Sequence, residues 1–201
     1  MDAPVLTGRM VRLEPLTERH RELLRPVAQD PRIWTATLTH ALGAEFDVWF
    51  DDALRGAAAG SRVPFAVMRL SDGAALGSSS YLDVALEHKR VEIGATWYHP
   101  DVWATAVNPD AKLVLLTHAF DVLGCNRVSL VTDALNHRSQ AAIAKLGATR
   151  EGVLRSHMVV HDGRIRDTVV FSIVRSEWPA VRERLHARLK NQLPGSTGST
   201  G

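Results

Sequence analysis

The chain has 201 residues, 45% hydrophobic and 23% charged, an ordinary composition that suffices for one domain with a sizeable core. Its 24 Lys+Arg and 22 Asp+Glu are interspersed and leave a net charge of +2, so nucleic acid is not the default partner. A single cysteine excludes an internal disulfide framework and a multi-cysteine metal site, and no apolar stretch approaches the ~18 residues of a membrane span. The N-terminal MDAPVLTGRM lacks the basic start and apolar run of a signal peptide, so a cytoplasmic protein is expected. The expected organisation is one domain over 1–190 and a flexible Gly/Ser/Thr tail over 191–201.

Two hydrophobic periods alternate along the chain. Met10 to Leu16 alternates as a short strand, and Thr17 then caps a helix carrying Leu23, Leu24 and Val27. A second helix is expected from Ala44 to about Ala58, with Phe46, Trp49, Phe50 and Leu54 on one face. Strands follow over Val63–Leu70 and Ala74–Val84, joined by Ser71-Asp72-Gly73. Arg90 to Tyr98 reads as a long central strand. The clearest helix runs from Pro109 to Leu123, with Asn108 as N-cap, Pro109 at its first position and Gly124 at its stop. After a strand over Arg127–Thr132, Asn136 caps a short helix through Lys145, closed by Gly147. Strands near Val153–Val160 and Ile165–Val174 flank His161-Asp162-Gly163. A last helix, about Ser176 to Lys190, buries Trp178, Val181, Leu185 and Leu189. This order implies an α/β (α+β) fold: one mixed, mostly antiparallel twisted sheet of about seven strands, with helices on both faces. The piece from Arg90 to Thr132 should be a parallel crossover.

The informative junction is Val91-Glu92-Ile93-Gly94, then Trp103-Ala104-Thr105-Ala106-Val107-Asn108, then the long helix. A loop of small residues feeding a helix N-terminus presents unpaired N–H groups where the helix dipole favours an anion. Several segments, in order, then resemble the GNAT acetyltransferases. Gly8 to Leu16 is similar to that family's opening strand, and Val91 to Gly94 to its fourth. Asn136-His137-Arg138-Ser139 and Lys145-Leu146-Gly147-Ala148 resemble its N-x-x-S and K-L-G-F/A segments, and Glu151 to Arg155 its next strand. The likeness spans nearly the whole body and is nearest to the Rim-type branch that modifies N-termini of ribosomal proteins. The family's R/Q-x-x-G-x-G/A loop is altered, with Trp103 for the Arg/Gln and Ala104 and Ala106 for the glycines. Wherever such a position needs φ > 0, alanine costs roughly 1–2 kcal/mol.

The resemblance implies an acetyl-CoA-dependent N-acetyltransferase, with acetyl-CoA held by Trp103, Ala104, Thr105, Ala106, Val107, Asn108, Lys112, Asn136, Arg138 and Ser139. It implies Glu92 as base, directly or through water, with a cation such as Arg90 or Lys89 as the competing structural partner. The oxyanion donor is then a main-chain N–H around Trp97 or Tyr98. Ile143 stands where many members carry an acidic tyrosine, which leaves Ser139 as proton donor; capping the short helix is its other role. Asn136 is expected either on the pantetheine arm or as a plain cap. The acceptor is a protein N-terminus or a small amine, docked near the first two helices and the last hairpin. Glu45, Asp47, Asp51 and Asp52 could attract a basic acceptor or form a solvated face. Cys125 reads as a buried structural thiol, and no His/Asp/Glu set suggests a metal. Edge strands and the late apolar helix leave room for a homodimer. A degenerate acyl-CoA-binding or regulatory protein is the alternative kept open by the altered loop.

Overall fold

The computed structural model describes residues 4–192. Eight strands form one open sheet: β1 (Leu6–Thr7), β2 (Val11–Pro15), β3 (Arg62–Arg69), β4 (Ala75–Ala85), β5 (Arg90–Tyr98), β6 (Arg127–Asp133), β7 (Thr149–Val159) and β8 (Ile165–Val174). Their spatial order is β1-β2-β3-β4-β5-β6-β8-β7. Every neighbouring pair is antiparallel except β5 and β6, the parallel pair that the crossover required. The α-helices among the described residues are α1 (Arg21–Leu24), α2 (Glu45–Ala58), α3 (Val107–Thr117), α4 (His137–Leu146) and α5 (Trp178–Gln192).

Two hydrophobic cores lie on the two sheet faces, as strand alternation demands. The larger joins α3, α4 and α5 to Val11, Phe65, Tyr81, Ile93, Leu130 and Phe171, and it contains Cys125. Trp178, Val181, Leu185 and Leu189 are its contribution from α5, as their spacing required. The smaller packs α2 and the segment around Leu24 on Ala66, Met68 and Trp97.

Several boundaries differ from the sequence reading. The sheet has an eighth strand, β1, whose two residues are too short to show a period. The single helix expected after Thr17 is instead one α-turn among 3-10 turns over Glu18–His20, Pro26–Gln29 and Pro31–Trp34. Pro26 and Pro31 remove donors and prevent a continuous helix. Helix α5 extends to Gln192, two residues into the expected tail, and the rest of that tail lies outside the described residues. Past α3 the chain forms a π-turn, with Leu123 N–H on His118 C=O at 2.9 Å, before Gly124 stops it at φ 68°.

Candidate active site

The two central parallel strands separate. β5 and β6 are in register only at Arg90/Arg127, Val91/Val128 and Glu92/Ser129. Beyond Glu92, β5 continues to Tyr98 with β4 as its sole partner. A bulge accompanies the divergence. Ser78 pairs with Trp97 and Ser80 with Gly94, so Ser79 alone faces both Ala95 and Thr96. Ala95 sits at φ 46°. An extra residue of this kind bends a strand and re-aims the groups after it. His99 N–H bonds to Leu76 C=O on the β4 side. By alternation, the polar backbone of Tyr98 faces the other way, into the gap, and its C=O accepts Trp103 Nε1–H at 2.9 Å.

The loop before α3 forms one rim of this gap. Helix α3 begins at Val107 with Ala106 as its cap, and Thr105 Oγ1 accepts the Val107 N–H at 3.3 Å. This corrects the sequence reading. Asn108 is inside the first turn rather than the cap, and Pro109 is third rather than first, because the helix opens at Val107, whose N–H Thr105 Oγ1 accepts. The N–H groups of Ala104, Thr105, Ala106 and Asn108 meet no acceptor among the described residues. Four free donors at a helix N-terminus fit a phosphate or pyrophosphate. The two alanines differ: Ala104 is left-handed at φ 60°, whereas Ala106 is right-handed at φ −70°.

The opposite rim is the start of α4. Asn136 Oδ1 accepts the Ser139 N–H at 2.9 Å, so the asparagine caps the helix and the Ser139 hydroxyl does not. Ser139 Oγ is half-buried and unbonded among the described residues, free to donate a proton. Arg138 bridges the rims, its guanidinium carbon 3.4 Å from the centroid of the Trp103 ring. A cation on an indole face is attractive and keeps its N–H edge available. Nothing in the spacing of Trp103 and Arg138 announced this stack, because they belong to different elements.

Lys112 is the clearest departure. It was expected among the residues holding acetyl-CoA, but it is only 5% exposed. Its Nζ donates to Thr96 Oγ1 at 2.6 Å and to Ser79 Oγ at 3.1 Å, and burial pushes the amine down to about 7. The amine is consumed by the strands beneath the loop. Of the expected cofactor contacts, the loop Trp103–Asn108 and the segment Asn136–Ser139 are therefore brought to one gap, and Lys112 is not.

Glu92 lies where β5 and β6 part. Val91 and Ile93 enter the α3 core, so alternation sets Glu92 on the opposite face. Burial raises its pKa, with Asp83 adding to the rise and Arg166 opposing it. A Cβ at Gly94 would come within 2.9 Å of Glu92 Oε1, so that glycine leaves room for the carboxylate. Glu92 forms no ion pair with Arg90 or Lys89; Arg90 pairs with Asp83 instead. Arg166, 6% exposed, was not anticipated as a neighbour of Glu92, since it comes from β8.

The segment after Trp34 meets the last hairpin beside this face. Asn136 Nδ2 reaches Ala36 C=O at 3.4 Å, His161 N–H bonds to Leu38 C=O at 3.1 Å, and the His40 and His161 rings are 4.4 Å apart. Of the expected acidic cluster, the three aspartates are paired, and Glu45 is in no ion pair among the described residues. Asp47 and Asp51 pair with Arg21, Asp47 also with Arg25, and Asp52 with Arg55. The Trp97 and Tyr98 side chains are core, as are Trp34 and Trp49.

Comparison with known proteins agrees with this fold. The acetyltransferase (GNAT) domain family matches residues 10–149. The chain is 31% identical over 100 residues to an uncharacterized N-acetyltransferase, YoaA, of Bacillus subtilis (strain 168), covering 50% of this chain and 55% of that protein. It spans about half the length of the curated relatives it matches. A crystal structure of a GCN5-related N-acetyltransferase from Brucella melitensis superposes with a TM-score of 0.88 at 30% identity, covering 100% of this chain and 90% of that one. RimJ of Mycobacterium smegmatis in complex with CoA-disulfide shares the fold, with a TM-score of 0.76 at 20% identity, over 92% of this chain and 94% of its own. With 140 of its residues matched, a parallel pair that splits and a donor-rich helix start beside the split, the chain belongs to the GNAT acetyltransferase family.

Proposed function

We propose that this chain is an N-acetyltransferase that moves an acetyl group from acetyl-CoA to a primary amine by direct attack, both substrates being bound together. The observation that carries the reading is the gap between β5 and β6, lined at its mouth by four free N–H groups and flanked at its base by Glu92. The donors of Ala104, Thr105, Ala106 and Asn108 suit the pyrophosphate, and Arg138, fixed over Trp103, adds a cation beside them. When bound, acetyl-CoA supplies the thioester. The chain does the rest. The Tyr98 N–H, directed into the gap, stabilises negative charge that builds on the carbonyl oxygen. Glu92, on the far face, accepts a proton from the acceptor ammonium, directly or through water. The unbonded Ser139 hydroxyl delivers a proton to the departing sulfur. Holding the two reactants together supplies much of the rate.

The acceptor docks against the face bearing Glu92, between the 35–43 segment and the His161 turn. Asp47, Asp51 and Asp52 are paired with arginines, and Glu92 is the buried carboxylate at the gap, which places it for the amine. This supports a protein N-terminus or a small amine over a polybasic substrate.

Calorimetry with acetyl-CoA tests the first step, and release of free CoA over a panel of peptides and amines tests the second. No binding at millimolar ligand would leave a degenerate regulatory protein instead. A base must be ionised to act, and burial raises the Glu92 pKa above its ordinary 4.5. The rate is therefore expected to climb with pH through a midpoint above that value, and Glu92→Gln to remove this limb with a fall of roughly 100-fold or more at little change in acetyl-CoA affinity. An unchanged rate in Glu92→Gln would remove it from the mechanism.

A further inference from the structure

The β5 bulge rests on a buried amine. Lys112 Nζ bonds to Thr96 Oγ1 at 2.6 Å and Ser79 Oγ at 3.1 Å, and those hydroxyls lie 2.7 Å apart. Ser79 is the β4 residue facing the bulge, and Thr96 is one of the two β5 residues that form it. The three groups thus clamp the irregularity from both strands. Thr96 is two residues before Tyr98, so the bulge sets the direction in which the Tyr98 N–H emerges.

The surroundings of Lys112 do not explain it as a stabilising feature. Burial disfavours its charge, and no acidic neighbour among the described residues offsets that. Asp110, two residues earlier on α3, is engaged by the N–H groups of Arg9, Met10 and Val11. From the strands, Tyr81 gives its hydroxyl to Leu115 C=O, and His118 lies against Tyr81. Tyr98, on β5, has a buried hydroxyl without a partner. A buried amine lacking a carboxylate weakens the fold, whether it keeps an uncompensated charge or gives up its proton, and a methionine of similar volume would fit better. A group that opposes stability while bonding to the bulge at which the central strand turns toward the gap points to a role in the site.

We propose that Lys112 is a positioning residue, holding the Ala95–Thr96 bulge so that the Tyr98 N–H faces the carbonyl of the bound thioester. This rests on the acetyl-transfer reading above. Lys112 touches neither substrate; it acts through Thr96 and Ser79.

Lys112→Met in the full chain separates positioning from support. The expected result is a melting temperature equal to or above that of the unaltered protein, unchanged acetyl-CoA affinity, and kcat lower by roughly 10- to 100-fold. Thr96→Val leaves the lysine in place and should lower kcat similarly, with little further loss in the double variant. Hydrogen exchange supplies a readout independent of turnover: amides of residues 94–98 should exchange faster in Lys112→Met while those of α5 keep their protection. If the unaltered protein acetylates no amine, the acetyl-transfer reading fails and exchange alone decides whether Lys112 holds the bulge. Unchanged exchange at 94–98 overturns the proposal, as does an unchanged kcat in an active enzyme. Should Lys112→Met not fold, Thr96→Val and Ser79→Ala carry the same two readouts.

Discussion

Ala104 and Ala106 occupy equivalent-looking places in the altered loop, yet their backbones place opposite demands on them. At φ 60°, Ala104 holds its Cβ against the following carbonyl, whereas Ala106 at φ −70° is unstrained. Ala104→Gly is therefore expected to stabilise the protein by about 0.5–1 kcal/mol, relief of strain exceeding the added freedom of the unfolded chain. Ala106→Gly, at the helix start, should lower stability by up to about 1 kcal/mol. Denaturant melts of the two variants check this, and shifts of the same sign would contradict it. The sequence showed that two alanines replaced glycines but not which one lay in the left-handed region, because that depends on how the loop reaches α3. Lys112 was illegible for a related reason. Its place one turn into a helix suggests an exposed cation, but α3 is buried around most of its circumference, including Asp110, Ala111, Lys112 and Leu113. A helix covered around most of its circumference leaves little polar face for a lysine, whatever its spacing.

At the level of elements, α3 is tied to the start of the sheet by a single carboxylate. Asp110 is fully buried and accepts the N–H groups of Arg9 at 3.1 Å, Met10 at 2.7 Å and Val11 at 3.1 Å. It lies in the first turn of α3, where the helix dipole also favours its charge. A Cβ on Gly8 would overlap that carboxylate, so the tight turn between β1 and β2 is part of the same device. Asp110→Ala would leave three backbone donors without their acceptor and is expected to cost about 2–4 kcal/mol, read from the urea midpoint. It should also weaken acetyl-CoA binding, since the freed donors before α3 shift with the helix. A loss below ~0.5 kcal/mol would show that water replaces the carboxylate without penalty. Periodicity revealed β2 to β6, β8 and the long helices because each buries one or both faces over several turns or pleats, whereas β7 is an exposed edge strand marked by its apolar residues and the turn after it. Periodicity could not reveal β1, which has two residues, nor this tie, which is made by backbone groups 99 to 101 positions away. The start of α3 was misplaced because Asn108 and Pro109 are both favourable near a helix N-terminus, and only the fold shows that the helix opens earlier, with Ala106 at the cap position and Thr105 Oγ1 holding the Val107 N–H.

Across the whole molecule, the site exists because a parallel pair is formed and then abandoned. Three paired residues anchor β5 to β6, the bulge turns β5 away, and the crossover helix brings its N-terminus to the opening. The rims then belong to segments about thirty residues apart in sequence, and the Arg138–Trp103 stack is a direct side-chain contact between them. Its energetic role follows from charge and position. The guanidinium stands beside four free amide donors, and burial lowers its pKa without bringing it near deprotonation at neutral pH. An anion arriving at those donors therefore meets a cation already oriented by the indole. Arg138→Ala is expected to weaken acetyl-CoA binding by roughly 5- to 30-fold, to reduce the salt dependence of that binding, and to leave kcat at saturation nearly unchanged. Trp103→Ala should give a smaller loss of affinity, because the cation remains but is no longer oriented. Titrations at two ionic strengths distinguish this from a stack that merely shuts the gap. Tighter binding in both variants would mean that the contact obstructs the cosubstrate, and the opening would then have to be assigned to a mouth that acetyl-CoA forces apart.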